Sequence, residues 1–248
     1  MHHTAEAGQR YRERVLRTQR ASLIAYWPLD ELSGTTALNA EGTTARNGAY
    51  TGSGITLARP GIGDGSVAAE FPGADTCVGV GSASLGAAWN GDKGSAIVWA
   101  RIDQASRWAD GLVGWWFHMR AADDVNYNVV MGKSASNTLQ WRRRSGVAQA
   151  VTSVSKVVSA PTGWLFMGMT WDLAVPEIRA YDATGIVGTA ATGFTTWASG
   201  THVPNSPNIS VLFAGSLTLQ EWFGRGAHCA VWAGATLTAA EILSLSRP

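Results

Sequence analysis

Charge and reactive side chains are scarce in this 248-residue sequence. Charged residues make up 15% of the chain, and lysine occurs only at Lys93, Lys133 and Lys156. The formal net charge of +1 argues against the whole chain being a polyanion binder. The two cysteines, Cys77 and Cys229, are too few and too far apart for a disulfide framework or a zinc site, so two buried thiols are expected.

Long apolar segments are also missing. No apolar run approaches the ~20 residues that a membrane-spanning helix requires, so no membrane insertion is expected. The first residues are polar and rich in arginine, without the apolar core of a secretory signal.

Turn formers and aromatic residues are abundant instead. The sequence has 29 glycines and 12 tryptophans, and short apolar runs alternate with glycine-rich and Ser/Thr-rich joints. This pattern predicts many short strands, and an all-β sandwich of this length is often one domain. The predicted strands cover residues 23–28, 67–71, 95–102, 112–119, 128–131, 138–143, 164–171, 177–181, 209–213 and 227–232.

A helix is predicted near each end. Residues 4–20 have one apolar edge, with Thr4 as a cap, and residues 236–246 carry Thr238 and Glu241 at the spacing of a capping box. The chain therefore divides into an N-terminal helical arm, residues 1–20, and a β domain, residues 21–248.

Five segments in order resemble laminin-G-like, concanavalin A-like domains. Residues 25–37 read AYWPLDELSGTTA, which resembles the opening strand and loop of that family. The others are AEFPGAD at 69–75, WLFMGMTWD at 164–172, IRAYDATG at 178–185, and AVW with LTAAEI at 230–242. The resemblance implies an all-β, two-sheet antiparallel jelly-roll sandwich with a short helix at each end.

A narrower resemblance concerns the first helix and two later segments. An arginine-rich helix ending in RVL, the turn at 60–65 and residues 227–229 resemble structural proteins of tailed phages. This resemblance implies a virion-surface location and a decoration or fibre protein. Partners would be other virion proteins or sister subunits, reached through residues 4–20.

Catalysis has little support in the sequence. Glycosidases on this fold need two carboxylates facing each other, and the run of alternating acids that supplies them is absent. Asp123 and Asp124 are adjacent, so on a strand they would point to opposite faces. His118 and His228 are interpreted as strand histidines, and no nucleophile elbow is present. We expect a protein that is not an enzyme.

Calcium is the one cofactor that the family resemblance implies. Glu31, Asn39 and Asn47 occupy the positions of its oxygen ligands. An asparagine stands at 39 where the family often has an aspartate, which removes charge. The alternative is ordinary hydrogen bonding within the loop.

A glycan site is predicted in the middle strands. Flat aromatic faces and planar polar groups hold sugars, and the segment between residues 107 and 144 is rich in both. The candidates are Trp108, Trp115, Trp116, Tyr127, Trp141, Arg142 and Arg144, with Asn126 and Asn128 as further hydrogen-bonding groups. Core or interface packing is the alternative for the aromatic residues.

The run Arg142, Arg143 and Arg144 has two interpretations. Strand geometry places Arg142 and Arg144 on one face and Arg143 on the other. An exposed, salt-bridging sheet edge is favoured over a polyanion site, and no nucleic-acid motif is present.

The arginine-rich first helix is interpreted as an assembly element. Its docking candidates are Arg10, Tyr11, Arg14, Val15 and Arg17, and packing on its own sandwich is the alternative. The sequence thus predicts a non-enzymatic virion surface protein with a lectin-like jelly roll that binds glycans. The alternatives are a free-standing carbohydrate-binding lectin domain and, less favoured, a glycan hydrolase.

Overall fold

Two antiparallel sheets face each other in the computed structural model, which describes residues 2–73, 76–120, 127–145, 150–191, 196–197, 211–214 and 222–248. The strands are β1 (Leu23–Trp27), β2 (Thr36–Ala37), β3 (Gly48–Thr51), β4 (Thr56–Pro60), β5 (Val67–Pro72), β6 (Cys77–Gly79), β7 (Lys93–Arg101), β8 (Gly114–Arg120), β9 (Asn128–Lys133), β10 (Thr138–Ser145), β11 (Ala150–Val157), β12 (Trp164–Asp172), β13 (Glu177–Asp182), β14 (Gly185–Ala191), β15 (Val211–Ala214) and β16 (Phe223–Ala233). The helices are α1 (His2–Arg17), α2 (Ala83–Ala88), α3 (Ala105–Trp108) and α4 (Ala239–Leu245), and a 3-10 turn covers Thr44–Arg46.

The strand order defines sheet A and sheet B. Sheet A runs β14-β13-β12-β7-β16-β5-β4, and sheet B runs β11-β10-β9-β8-β15-β6-β3-β2. β1 pairs with one end of β16, where Trp27 lies opposite Cys229, and β5 pairs with the other end. The predicted all-β, two-sheet antiparallel sandwich with a short helix near each end is confirmed.

The main core lies between the sheets. On β7, Ala96 and Val98 point into it, while Ile97 and Trp99 belong to a second buried cluster on the outer face of sheet A. β12 behaves in the same way, with Met167 in the main core and Phe166 in the second cluster. Both faces of these strands are buried, which explains why residues 164–172 are apolar almost throughout.

Helices α1 and α4 cover the outer face of sheet A. α4 begins with the predicted capping box, in which the side chains of Thr238 and Glu241 each accept a hydrogen bond from the other's backbone N–H. Ile242 and Leu245 of α4 are buried beside Tyr11 and Val15 of α1. This second cluster is what buries the outer side chains of β7 and β12.

Specific hydrogen bonds fix α1 on the sandwich. The Tyr11 hydroxyl accepts a bond from Trp99 Nε1 at 2.8 Å and donates to the carbonyl oxygen of Leu245 at 2.7 Å. Trp232 Nε1 donates to the carbonyl oxygen of Thr18 at 2.7 Å, just beyond the end of the helix. The Tyr11 hydroxyl therefore satisfies one of the carbonyl groups that a helix leaves unpaired at its C-terminus.

The interpretation of α1 as a docking element requires a correction. Tyr11 and Val15 are both 0% exposed, so the prediction that they contact another chain is wrong because their own sandwich already buries them. Arg14 donates to the carbonyl oxygen of Arg247, again within the chain. Arg10 and Arg17 are exposed, and their docking role stays a prediction.

Replacing Tyr11 by phenylalanine should destabilise the whole protein. The substitution keeps the ring but leaves the buried Trp99 N–H and the Leu245 carbonyl without their partner. We expect the free energy of unfolding to fall by about 1–3 kcal/mol. Urea unfolding followed by tryptophan fluorescence measures it. Arg17→Ala, at a side chain that is 82% exposed, is the control, and equal stability of Y11F and the native protein would contradict the role given to the hydroxyl.

Candidate functional site

The outward surface of sheet B carries a group of polar side chains on three adjacent strands. Phe117 and Met119 of β8, Met131 of β9 and Leu139 and Trp141 of β10 point into the core. The residues that alternate with them therefore point away from it. We call this set the polar face: Trp115, His118 and Arg120 on β8, Asn128 on β9, and Gln140, Arg142 and Arg144 on β10.

Strand register brings these side chains into rows. Arg120 and Arg144 both lie opposite Asn128, one on each side of it. In the next row, His118 and Arg142 both lie opposite Val130. Adjacent strands are about 4.8 Å apart, so the Cα atoms of Arg120 and Arg144 are about 10 Å apart.

Arg142 and Arg144 share the outward face, as predicted, and Arg143 points inward. Arg143 is 0% exposed and donates two hydrogen bonds to the carbonyl oxygen of Gly91, at 3.1 and 2.7 Å. Burial lowers its pKa to about 10, against the opposing effect of Asp92. The prediction of a sheet edge is wrong, because β10 is paired with β9 on one side and β11 on the other.

Most of the predicted aromatic platform lies in the core. Trp116 and Trp141 are 0% exposed and Trp108 is 2% exposed, so the prediction that they hold a sugar is wrong. An irregular register between Trp115 and Phe117 separates the two adjacent tryptophans and places Trp116 in the core. Core packing, the alternative interpretation, describes these three rings.

The other two predicted rings are not open platforms either. Trp115 points outward but is only 7% exposed, and the guanidinium of Arg142 lies 4.9 Å from the centre of its ring. Tyr127 is half-buried and packs against the main core, 5.8 Å from the ring of Trp197. Asn126 lies outside the described residues. The polar part of the predicted site is therefore assembled on one face, whereas the aromatic part is mostly buried.

His118 is the titratable group with the most altered environment on the polar face. Burial lowers its pKa to about 3, and the positive charges of Arg120 and Arg142 add to the effect. The imidazole is therefore neutral at physiological pH. Its Nε2 atom is buried and has no hydrogen-bond partner among the described residues.

The three predicted calcium ligands hold the first loop together. Glu31 accepts bonds from the Leu38 N–H at 2.7 Å and the Tyr50 hydroxyl at 2.6 Å. Asn47 Oδ1 accepts a bond from the Asn39 N–H at 2.8 Å. These contacts are the ordinary loop hydrogen bonds of the alternative interpretation. Within the described ranges, no group of three His, Cys, Asp or Glu side chains is placed to hold a metal ion.

Two opposed carboxylates occur at the end of sheet A. Asp172 lies directly opposite Glu177, but Asp172 pairs with Lys93 at 2.9 Å and Glu177 pairs with Arg179. Burial raises the pKa of Asp172, but its bonds from Lys93 and from backbone N–H groups outweigh this and lower it. A glycosidase acid needs the opposite shift. Asp123 and Asp124 lie outside the described residues.

A cluster of Asp64, Ser66 and His228 has the residue types of a hydrolase triad but not its geometry. His228 Nε2 lies 3.2 Å from Ser66 Oγ and 3.4 Å from Asp64 Oδ2, while Nδ1 lies 2.7 Å from the Tyr26 hydroxyl. A triad needs its carboxylate on the opposite ring nitrogen. Burial raises the pKa of Asp64, but bonds from His228 and Ser66 bring it down to about 2, which makes it a weak base.

A cavity of about 540 Å³ lies next to this cluster, between α1 and the turn at residues 61–66. Its wall includes Gln9, Arg12, Asp30 and Ser66. Arg12 and Asp30 form an ion pair at 3.5 Å, so their charges offset each other. The cavity therefore offers a ligand less net charge than the polar face does.

Some residues of the polar face were not predicted from the sequence. Arg120 and Gln140 share this surface only because β8, β9 and β10 pair in a particular register. Period-two alternation from Arg142 would have indicated Gln140, but nothing in the sequence fixes the pairing that brings Arg120 close. His118 and His228 lie on β8 and β16, as predicted for strand histidines.

Known proteins match this chain in structure and not in sequence. No protein-family model and no curated protein sequence matches it. Domain 4 of AbnA, a GH43 extracellular arabinanase from Geobacillus stearothermophilus, in complex with arabinotriose, has a TM-score of 0.62 at 14% identity, over 91% of this chain and 98% of that chain. The Ruminococcus gnavus IT-sialidase CBM40 bound to alpha2,6 sialyllactose has a TM-score of 0.52 at 8% identity, over 73% and 96%.

A Trypanosoma rangeli sialidase gives a TM-score of 0.59 at 10% identity, and the match covers 98% of this chain but 37% of that chain. At these identities the likeness establishes the sandwich fold alone. Among the described helices, none is long and apolar enough to cross a lipid bilayer.

Protonation of His118 should make the protein less stable in mild acid. The unfolded histidine takes up a proton near pH 6.5, whereas the folded one does so only near pH 3. The free energy of unfolding should therefore fall as the pH drops below about 6.5, by at most about 1.4 kcal/mol per pH unit for this one proton. Above that pH this contribution is constant.

Urea unfolding of the native protein and H118Q at several pH values between 4 and 8 measures this effect. The variant should show a shallower loss of stability in acid, since the acidic groups are the same in both proteins. Parallel profiles would show that His118 has an ordinary pKa in the folded protein.

Proposed function

We propose that this protein is a non-enzymatic carbohydrate-binding module whose polar face holds the sugar. The observation that carries the proposal is the register of β8, β9 and β10, which places three guanidinium groups and the Gln140 carboxamide on one surface. Asn128, 3% exposed, lies between Arg120 and Arg144. α1 and α4 cover the outer face of sheet A, whereas no described helix covers the polar face. Planar polar groups on a pre-formed sheet suit the hydroxyls of a sugar.

The fold neighbours support the sugar as the ligand class. Two of them, the arabinanase domain and the sialidase CBM40, are described in complex with an oligosaccharide. Fold alone does not determine function, so the main evidence for a sugar site is the arrangement of the polar face and not the similarity in fold.

The absence of catalysis is part of the same proposal. Glycoside hydrolysis requires a carboxylic acid whose pKa is raised. The pKa values of Asp64, Asp172 and Asp182 are all lowered instead, because hydrogen bonds to their carboxylates outweigh their burial. These groups serve the fold, and a binding function agrees better with them than a glycan hydrolase does.

The sequence resembles structural proteins of tailed phages, and from this resemblance we also propose a location and partners. In that form the module is displayed on a virion surface as a decoration or fibre protein, attached through other virion proteins or sister subunits. Arg10 and Arg17 are the exposed candidates on α1, whose apolar edge is already buried. A free-standing lectin domain is the alternative, favoured by that burial.

Light scattering distinguishes self-assembly from a monomer. If sister subunits associate through α1, the full-length protein should be an oligomer that dissociates when Arg10 and Arg17 are both replaced by glutamate. An oligomer that keeps its mass in the double variant would place the contact elsewhere, and a monomeric native protein would reject self-assembly.

A glycan microarray tests the sugar-binding function directly. We expect the full-length protein to bind a defined set of glycans, and R144A to lose at least tenfold in affinity for them, about 1.4 kcal/mol, because a planar fork of donors is removed. R179A is the matched control, an arginine on a strand of the other sheet. Binding that R144A leaves unchanged would show that the polar face is not the site.

A further inference from the structure

The polar face offers charge and hydrogen bonds more than stacking. Neutral sugars are commonly held by aromatic rings against their C–H faces. Here Trp108, Trp116 and Trp141 are in the core, and the ring of Trp115 is 7% exposed beneath the guanidinium of Arg142. Recognition on this surface therefore has to come from its polar groups.

Three of those groups are guanidiniums that can approach one ligand from different sides. Arg142 and Arg144 are two residues apart on β10, about 7 Å along the strand, and Arg120 is two strands away in the same row as Arg144. Arginine side chains are long enough to close such gaps. A guanidinium presents a planar fork of donors that matches a carboxylate or a sulfate.

His118 supplies an independent indication that a ligand belongs here. It is two residues from Arg120 on β8 and shares a row with Arg142. It is 8% exposed, and its Nε2 atom is buried without a hydrogen-bond partner among the described residues. Leaving such an atom unpaired costs free energy, which a hydrogen bond to a bound ligand would recover. Neutral imidazole can donate to or accept from a sugar hydroxyl.

We propose that the ligand of the polar face is an acidic glycan, whose carboxylate or sulfate is held by Arg120, Arg142 and Arg144 and whose hydroxyl meets Nε2 of His118. This inference rests on the proposed function and specifies its ligand class. The net charge of the chain is only +1, so the attraction is local to this face and not a property of the whole surface.

Arg144 is the best position for a test. Arg120 and Arg142 have further partners within the chain, and Arg142 also lies on the ring of Trp115. Arg144 is half-buried and lies opposite Asn128 of β9 and Val151 of β11. R144Q removes the charge and keeps a polar side chain, R144K keeps the charge without the fork, and R179Q on sheet A is the matched control.

The experiment is calorimetric titration of the full-length protein with acidic oligosaccharides and their neutral parents. The probes are lactose, sialylated lactose, sulfated lactose, and oligogalacturonate beside its methyl ester. We expect at least one acidic probe to bind tenfold or more tightly than its parent. R144Q should lose at least tenfold for that probe, R144K less, and R179Q nothing. Raising the salt concentration should weaken the acidic ligand alone.

Each other result has a definite meaning. Equal affinity for acidic and neutral probes would overturn the acidic ligand and leave the carbohydrate-binding function standing. If the array and these probes show no binding to any sugar, the proposed function itself fails. Equal affinity for single-stranded DNA, with the same sensitivity to R144Q, would show a general polyanion site and overturn the assignment to glycans. Unfolding curves establish that each variant is folded.

Discussion

The burial of the outer face of sheet A by α1 and α4 is the constraint on which the rest of the structure depends. A two-layer sandwich has two inner faces, which form the core, and two outer faces. In this protein one outer face is apolar and carries Ile97, Trp99 and Phe166, which would be exposed without the helices. The hydroxyl of Tyr11 joins the two helices to the sheet through Trp99 and Leu245.

Because α1 and α4 cover sheet A, the outer faces of the two sheets differ in character. α1 and α4 enclose the middle of sheet A, so β7 and β12 are apolar on both faces. At the end of these two strands, Lys93 and Asp172 form an ion pair. None of the described helices covers the polar face of sheet B, where polar residues alternate with core residues over β8, β9 and β10. The surface that we propose for binding thus lies on the sheet that α1 and α4 do not cover.

The fold could be predicted from the sequence to a large extent. Each predicted strand overlaps an observed one, and the capping box of α4 was found from its spacing. The strands that were missed, among them β3, β4 and β14, are short or poor in large apolar residues. Such strands form because a partner strand is already in place, and local sequence does not show that partner.

The candidate site was predicted less well, for two physical reasons. Alternation tells which residues of a strand share a face but not which face is buried, so the prediction of an outward ring is wrong for Trp116 and Trp141. The irregular register after Trp115 then breaks the alternation itself, and only the paired strand reveals it. For Arg143 the alternation is right but the residue type is misleading. This charged residue lies between two outward arginines, yet it is buried and donates to the carbonyl oxygen of Gly91.

The buried tryptophans have a consequence for recognition. A ring that fills the core stabilises the sandwich but is lost as a platform for a sugar, and the one outward ring, Trp115, is covered by Arg142. Stacking on the ring holds Arg142 in place beforehand. Less conformational entropy is then lost on binding. In the proposed site, Trp115 therefore contributes to affinity without contacting the ligand, by ordering Arg142.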